Sequence, residues 1–269
     1  MALRIVAALA ALGAVVLVLA LMEARFIYFP SRRLVAGPEQ YGLRSDELWL
    51  TADDGVRLHG WWLHGQGQRV LIWFHGNAGN ISHRLENARR FIDWFGVDVL
   101  LVDYRGYGRS EGSPGEAGLY ADARAMYDAA AGRGFRPEQI VLLGRSLGTA
   151  VAADLAIKRP CAGAVLETPF LSVPALARVH YPFVPAFLIR TRFDTASKIG
   201  RLAVPKLIVQ AERDEIMPPE HARRLFELAP EPKWFYVLRG AHHNDIYQTV
   251  DPGYVAAWRS FLEEAGRAA

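Results

Sequence analysis

The sequence predicts an α/β protein, with a mostly parallel central sheet, helices on both faces and an antiparallel hairpin at the start of the sheet. Two observations carry this prediction. Short apolar runs of strand length recur along the chain, and stretches of helical periodicity separate most of them. Because nearly every residue of these runs is apolar, they are typical of strands buried on both faces, as in a parallel sheet between helix layers. With 51% hydrophobic and 22% charged residues, the 269-residue chain has the composition of an ordinary globular protein.

The first element is an apolar segment. The run from Ile5 to Met22 carries no charge, and as a helix it would extend about 27 Å, close to the hydrocarbon thickness of a bilayer. We predict a single transmembrane or signal-anchor helix over residues 1–24 and a linker over 25–46. A cleaved signal peptide is the alternative, although Ala20-Leu21-Met22-Glu23 lacks the small-residue pattern of a cleavage site.

The orientation of this segment stays open. More arginines follow the apolar run than precede it, which favours a cytoplasmic location for the domain behind it. A short N-terminus that carries an arginine is instead typical of a signal anchor that exports the domain behind it.

The remaining elements form one domain, which we place at residues 47–269. Two β-prone runs, 47–51 and 56–63, flank the turn sequence Asp53-Asp54-Gly55 and predict the hairpin. Later apolar runs predict the parallel strands: 70–74, 97–102, 140–143, 164–166, 207–209 and 234–238. Helical periodicity predicts the helices between and after them: 82–95, 116–131, 147–158, 219–228 and 252–265.

One interval breaks this alternation. About forty residues separate the strand that ends at 166 from the strand that begins at 207, which is long for a connection between a strand and a helix. Residues 168–204 are rich in proline and aromatic residues. The segment contains several basic side chains but a single acidic one, Asp194. We predict an insertion that caps one end of the sheet.

A serine lies at the tightest predicted turn. Gly144-Arg145-Ser146-Leu147-Gly148 follows a strand and precedes a helix of small residues, which is the context of a G-x-S-x-G nucleophile elbow. Glycine on both sides lets the chain turn without clashes, and the turn directs the Ser146 hydroxyl out of the sheet beside a helix N-terminus. An ordinary turn with an incidental serine is the alternative, because the bare pattern also arises by chance.

A serine nucleophile needs a base, and the base needs an acid that orients it. Asp214 follows the strand 207–209, and His243 follows the strand 234–238. Loops that follow parallel strands emerge at the same edge of a sheet, so these residues can converge on Ser146. We predict Ser146, Asp214 and His243 as the catalytic residues. The alternatives that stay open are His242 as the base and Glu167, Asp194 or Asp245 as the acid.

From residue 48 onward, five motifs together resemble the α/β-hydrolase superfamily. They are His75-Gly76-Asn77-Ala78-Gly79, Asp103-Tyr104-Arg105-Gly106-Tyr107-Gly108-Arg109-Ser110, the elbow, Arg213-Asp214-Glu215 and Gly240-Ala241-His242-His243-Asn244-Asp245. The chain is similar to a branch of membrane-anchored serine hydrolases that includes protein depalmitoylases and bacterial serine-aminopeptidase-like hydrolases. In that branch the catalytic histidine precedes Asn-Asp, which corresponds to His243, and His242 stands where glycine is common.

The resemblance also implies an oxyanion hole, formed by the backbone N–H groups of Leu147 and Asn77. Two such donors stabilise the negative charge that develops on the carbonyl oxygen of a substrate. His75 and Gly76 are then expected to shape the loop, without a metal, because no second ligand lies at a suitable spacing. No metal or organic cofactor is expected, and the single cysteine, Cys161, excludes an internal disulfide.

The apolar insertion predicts a hydrophobic acyl substrate. The candidate pocket residues are Phe170, Leu171, Tyr181, Phe183 and Phe187. Packing of the cap onto the sheet is the alternative role for these side chains.

We predict a hydrolase that cleaves carboxylic esters or thioesters through an acyl-serine intermediate. Its partners would be a small-molecule or lipid-like acyl substrate, an acylated protein as a variant of that substrate, and a membrane through the N-terminal helix. A serine peptidase or amidase is the alternative, disfavoured because a basic cap does not suit a substrate ammonium group. A non-catalytic scaffold that binds a lipid or a protein at the membrane is a third possibility. The net charge of +3 is small and the basic residues are scattered, so a nucleic-acid partner is not expected.

Overall fold

A computed structural model describes residues 23–248 and 251–266 of the chain. The strands are β1 (Phe29–Pro30), β2 (Ser45–Thr51), β3 (Arg57–Leu63), β4 (Val70–Phe74), β5 (Ala78–Gly79), β6 (Asp98–Val102), β7 (Ile140–Arg145), β8 (Gly163–Glu167), β9 (Lys206–Ala211) and β10 (Lys233–Leu238).

Residues 23–27 are helical. The α-helices that follow are α1 (Leu85–Phe95), α2 (Glu116–Gly132), α3 (Leu147–Lys158), α4 (Val173–His180), α5 (Ala196–Ile199), α6 (Pro219–Leu228) and α7 (Pro252–Ala265). Short 3-10 helices span Pro38–Tyr41, Ile81–Arg84, Pro137–Gln139 and Ala186–Leu188.

The central sheet has the strand order β10-β9-β8-β7-β4-β6-β3-β2. The strands β2 and β3 pair antiparallel, β3 also pairs antiparallel with β6, and all other neighbours are parallel. This confirms the predicted architecture, a mostly parallel sheet that begins with an antiparallel hairpin. The carboxyl ends of β4, β7, β8, β9 and β10 meet at one edge, which we call the site edge.

Side chains of the central strands alternate between two apolar layers. In β4, Val70, Ile72 and Phe74 face one layer, which also contains side chains of α2, α3 and α6. Leu71 and Trp73 face the other layer, with side chains of α1 and α7. Since all five are almost completely buried, the strand is apolar on both faces, and this explains why its sequence shows no polar alternation.

The element boundaries differ from the sequence prediction at particular residues. The helices α3, α6 and α7 span the predicted residues. The strand β9 extends beyond the apolar run 207–209, because the polar residues Lys206 and Gln210 are also buried and continue the pairing. The predicted helix 82–95 divides into the 3-10 turn Ile81–Arg84 and α1.

The predicted transmembrane helix falls on residues 1–22 for most of its length, and these lie outside the described residues. Within residues 23–248 and 251–266, no helix is both long enough and apolar enough to cross a bilayer. The segment expected to be a linker is held against the domain. Its two-residue strand β1 pairs with β5, and the Asn80 amide donates hydrogen bonds to the Ser31 and Arg33 carbonyls at 3.0 and 2.7 Å.

Candidate active site

Ser146 lies on a strained turn between β7 and α3. Its backbone has φ 52° and ψ −120°, a region that costs a non-glycine residue about 1–3 kcal/mol and that is found most often at functional sites. Hydrogen bonds hold the turn in place. The Ser146 N–H donates to the Glu167 carbonyl at 2.9 Å, and the Ser146 carbonyl accepts from the Thr149 hydroxyl at 2.6 Å.

Close backbone contacts explain the two glycines of the elbow. A Cβ atom on Gly148 would lie 2.0 Å from the Phe74 carbonyl oxygen, and a Cβ atom on Gly144 would lie 2.4 Å from the Gly148 carbonyl oxygen. Any side chain at these positions would push α3 away from the ends of β4 and β7. The glycine pattern is therefore a packing requirement at the junction of two strands and a helix.

Asp214 and His243 are in direct contact at the site edge. The Nδ1 atom of His243 lies 2.9 and 3.0 Å from the two carboxylate oxygens of Asp214, and both residues are buried. The Oδ1 atom of Asp214 also accepts from the Ile216 and Met217 N–H groups at 2.9 and 2.7 Å. Because a carboxylate can only accept, Nδ1 carries the proton, and Nε2 is left with the lone pair that a base uses.

Ser146 and His243 are joined through their neighbours. The guanidinium of Arg145 donates a hydrogen bond to the His243 carbonyl. Among the described residues, the His243 ring forms its side-chain hydrogen bonds through Nδ1, to Asp214, and none to the Ser146 hydroxyl. The structure thus brings the base and acid candidates together and places the serine candidate beside their loop. A serine–histidine contact is often long before substrate binds.

The rival base has a different environment. The His242 ring is half exposed, and its Nδ1 faces the exposed carboxylate of Glu215 at 3.3 Å. Its position therefore offers no buried acid to orient the ring.

The rival acids also lie elsewhere. Glu167 is fully buried at the end of β8 and accepts hydrogen bonds from the hydroxyls of Tyr247 and Tyr254, and burial raises the pKa of its carboxyl. Asp194 accepts from the Ser197 N–H at 3.1 Å within the cap. Asp245 accepts from the His242 N–H at 2.6 Å. Among the acids considered, the geometry favours Asp214.

The predicted oxyanion donors flank Ser146. Leu147 is the first residue of α3, so its N–H has no partner within the helix. The Asn77 N–H makes no hydrogen bond to another described residue. A Cβ atom on the neighbouring Gly76 would lie 3.5 Å from Ser146 Cβ, which places this loop directly beside the serine.

Contacts from two other segments fix the Asn77 loop. The Asn77 carbonyl accepts from the Tyr107 hydroxyl at 2.7 Å and from the Phe29 N–H at 2.9 Å. The Asn77 side-chain amide donates to the Ile27 carbonyl at 3.0 Å. The N-terminal segment therefore forms part of the support of the candidate site.

His75 and Asp103 lie buried behind this loop. The Nδ1 atom of His75 bonds to the Gly76 carbonyl at 2.8 Å, and its Nε2 lies 3.9 Å from Asp103 Oδ1. Burial lowers the pKa of His75 to about 3 and raises the pKa of Asp103 to about 7. Within the described residues, no group of His, Cys, Asp or Glu side chains could hold a metal ion. His75 therefore bonds within the loop, and Asp103 lies behind it, where it accepts from the Ile81 N–H at 2.9 Å.

Sequence reasoning missed two residues of the site. Arg145 ties the elbow to the His243 loop, and its guanidinium lies 4.7 Å from the ring centre of Tyr247. The Gln210 amide lies 3.4 Å from Asp214 Oδ2 and donates to the Met217 carbonyl at 3.2 Å. Both are polar residues at the ends of apolar strands, and a polar side chain at such a buried position needs partners. That signal could have identified them.

The five pocket candidates differ in their burial. Phe170 is 1% exposed and belongs to the core. Leu171 is half buried, whereas Tyr181, Phe183 and Phe187 are exposed.

Two cavities lie away from Ser146. A cavity of about 310 Å³ in the cap is lined by Ser172, Pro174, Arg178, Ala186, Phe187, Arg192 and Asp194. A cleft of about 550 Å³ lies between residues 34–40 and the side of β2 and β3.

Known proteins are similar to this chain in sequence and in fold. The family model described as serine aminopeptidase, S33, matches residues 65–192. An uncharacterized protein of Mycobacterium tuberculosis is 38% identical and covers 90% of this chain and 88% of its own length. The alpha/beta hydrolase domain-containing protein WAV2 of Arabidopsis thaliana is 34% identical over 80% of this chain and 78% of that protein.

Two further matches bear on the membrane and on the fold. An uncharacterized membrane protein of Saccharomyces cerevisiae is 33% identical over 88% of this chain and 86% of that protein. The solved structure of the esterase Pf2001 of Pyrococcus furiosus superimposes with a TM-score of 0.72 and covers 88% of this chain and 97% of that chain. Its sequence identity is 19%, so this likeness concerns the fold.

Proposed function

The chain belongs to the α/β-hydrolase superfamily, and from this we propose that it is a serine hydrolase that cleaves carboxylic esters or thioesters of hydrophobic acyl groups. The observation that supports this most is the buried contact between His243 Nδ1 and Asp214, at the sheet edge where Ser146 occupies its strained turn. No metal or organic cofactor takes part in the proposed reaction.

Ser146, His243 and Asp214 would carry out the reaction in two halves. The Ser146 oxygen attacks the acyl carbonyl while His243 Nε2 takes the hydroxyl proton, and Asp214 stabilises the imidazolium that forms. The tetrahedral intermediate then collapses, and the leaving alcohol or thiol takes the proton from His243. A water molecule attacks the acyl-serine by the same route, which releases the carboxylic acid and restores Ser146.

The Leu147 and Asn77 N–H groups would stabilise the oxyanion. Each has no hydrogen-bond acceptor among the described residues, and both flank Ser146. Loss of one such donor costs about 3–4 kcal/mol of transition-state stabilisation in a comparable hydrolase. The fixed position of the Asn77 loop means that no reorganisation is required during the reaction.

The charge of the cap supports an acyl ester rather than an aminopeptide substrate. Residues 168–193 contain no acidic side chain, whereas recognition of a substrate ammonium group requires nearby acids. The serine aminopeptidase family model keeps a peptidase or amidase as the second candidate. A matched panel of acyl esters, acyl thioesters and aminoacyl amides separates the two, and faster amide turnover would overturn our preference.

We also propose that residues 1–24 attach the protein to a membrane. The uncharged run from Ile5 to Met22 and the membrane protein among the relatives support this attachment. Its substrate would then be a lipid-like molecule or an acylated protein that approaches from the bilayer.

Labelling with a fluorophosphonate tests the serine mechanism. We expect the intact full chain to react, and we expect Ser146→Ala to remain folded by circular dichroism without taking the label. If the intact chain fails to react, a non-catalytic scaffold becomes the better interpretation. If Ser146→Ala reacts as well as the intact chain, another residue is the nucleophile.

A further inference from the structure

The tip of the cap exposes large apolar side chains. Phe183 is 79% exposed and Phe187 is 83% exposed, and Val179 and Tyr181 are each about half exposed. The rings of Tyr181 and Phe183 contact each other, with centroids 6.3 Å apart, and so form one patch. Soluble proteins rarely expose several large apolar side chains together unless the surface binds something.

The same surface is basic. Arg178, Arg190 and Arg192 are exposed, and none of them pairs with an acidic side chain of the described residues. The carboxylates of Glu23 and Glu116 approach residues 190–193, but they accept hydrogen bonds from backbone N–H groups there. Glu23 accepts from the Arg190 and Thr191 N–H groups at 3.2 and 2.8 Å, and Glu116 accepts from the N–H groups of residues 192 and 193. Aromatic rings beside arginines without acids are typical of surfaces that contact anionic lipid.

The N-terminal segment joins the tip of the cap at this surface. Through its contacts with Arg190 and Thr191, Glu23 positions the start of the described structure beside the cap. The uncharged run 5–22 directly precedes Glu23 in the sequence. Phe26 and Phe29, which follow it, are each more than half exposed.

This surface also adjoins the candidate site. Residue 27 and residue 29 both bond to Asn77, the predicted oxyanion residue. Between them, the Tyr28 ring packs edge-on against Phe193 at the base of the cap, with centroids 6.4 Å apart. Residues 27–29 therefore connect the oxyanion loop to the cap.

We propose that residues 178–192 and 25–29 form one membrane face that lies on an anionic lipid bilayer. The aromatic rings enter the interface, and the arginines contact the lipid phosphates. Attachment through residues 1–24 would only tether the domain, whereas this face sets its orientation, with the site edge towards the lipid. The proposal does not depend on the hydrolytic chemistry.

A fluorescent probe on the cap tests the membrane face. Cys161 is the single cysteine of the chain and is buried, so Cys161→Ala provides a background without reactive thiols. In that full chain, Phe187→Cys carries the polarity-sensitive probe NBD, and the protein is reconstituted in phosphatidylcholine/phosphatidylglycerol vesicles that contain a doxyl-lipid quencher. We expect at least threefold stronger quenching at position 187 than at the control position.

Leu228→Cys is the matched control, because Leu228 is 37% exposed at the end of α6, at the edge of the sheet opposite the site edge. Phe183→Cys provides a second probe position on the tip and guards against a local folding defect at 187. If the probes at 183 and 187 are quenched no more than the probe at 228, the proposal is wrong. A face that binds a soluble protein would give that result.

The charge of the membrane face has its own test. The triple variant Arg178→Gln, Arg190→Gln, Arg192→Gln should lose at least half of the quenching at position 187 in anionic vesicles. The intact arginines should likewise give weaker quenching in pure phosphatidylcholine than in the anionic mixture. Equal quenching in both lipid compositions would overturn the assignment of an anionic bilayer.

Discussion

The hydrogen bond from His243 to Asp214 sets the protonation of the imidazole. The carboxylate accepts from Nδ1, so Nε2 remains free to take a proton. The adjacent His242 has the same ring chemistry, but its side chain lies in solvent beside Glu215. Placement in the structure, rather than residue type, therefore distinguishes the two histidines.

Substitution of each histidine tests this distinction. We expect His243→Ala to lower kcat/KM for a p-nitrophenyl ester by about a thousandfold or more, because the serine loses its base. His242→Ala should change kcat/KM by less than about threefold, since its ring is exposed and is not one of the proposed catalytic groups. The two rates are measured on the same substrate, and the reverse order would assign the base to His242.

The buried Asp103 carboxyl predicts a dependence of stability on pH. Burial raises the pKa of Asp103 to about 7, so the folded chain retains a proton that the unfolded chain releases above about pH 4. Its contribution to stability is complete below about pH 4 and is lost as the pH rises through about 7. Asp103→Asn keeps an oxygen for the Ile81 N–H and should remove roughly 4 kcal/mol of this dependence.

Urea unfolding of the full chain in detergent at several pH values between 4 and 8 measures this effect. Asp128→Asn is the control, because Asp128 is an exposed carboxyl whose nearest cation, Arg159, lies 3.4 Å away. Equal pH slopes for Asp103→Asn and the unchanged chain would contradict the prediction.

At the scale of elements, the elbow depends on how closely α3 approaches the sheet. The helix begins at Leu147, and its second residue, Gly148, contacts the backbone at the end of β4. This contact brings the helix N-terminus and the Asn77 loop to the same side of Ser146. The turn at Ser146 and the position of the Asn77 loop thus both depend on how closely α3 approaches β4.

Replacement of two helical glycines by alanine tests this packing. Gly148→Ala would place a Cβ atom 2.0 Å from the Phe74 oxygen, so we expect a loss of roughly 3 kcal/mol or more in unfolding free energy. Gly132 lies at the end of α2 with nothing within 4 Å of a Cβ. There Gly132→Ala should be neutral or stabilising by up to about 1 kcal/mol. Thermal unfolding of both variants measures the two changes in stability. Equal stability of the two variants would show that the contact at Gly148 can relax.

At the scale of the whole molecule, segments distant in sequence meet around the site edge. The N-terminal segment bonds to the Asn77 loop and to the cap, and the loops of Asp214 and His243 bond to each other. Between these loops, the Arg213 N–H donates to the Ala241 carbonyl at 2.9 Å and the Gly240 N–H donates to the Glu212 carboxylate at 2.8 Å.

This arrangement predicts a preference for longer acyl groups. Partly buried apolar side chains of the cap, such as Leu171, would gain free energy on contact with a hydrocarbon chain, about 0.8 kcal/mol for each buried CH₂ group. We expect kcat/KM to rise by about tenfold or more from acetate to octanoate esters. A series of p-nitrophenyl esters, followed by the corresponding acyl thioesters, measures it. Acetate as the best substrate would refute the prediction.

Much of the fold was predictable because its strands and helices have strong local patterns. Apolar runs and helical periodicity located β4, α3, α6 and α7 at the correct residues. The two-residue pairing of β1 with β5 was not predictable, since it consists of a few backbone hydrogen bonds and leaves no pattern in side chains. The same holds for the division of the helix before Leu85, where a side-chain cap from Asn80 replaces a regular helical turn.

For the site, the sequence by itself determined the candidate residues, because a nucleophile elbow, an acid and a base each need particular residue types after particular strands. The tertiary structure decided among them. Asp214 rather than Glu167 contacts His243, and Arg145 ties the elbow to the histidine loop. The structure also moved Phe170 into the core and left Phe183 and Phe187 in solvent. Burial and hydrogen-bond partners arise from contacts between distant parts of the chain, and local sequence patterns do not encode those contacts.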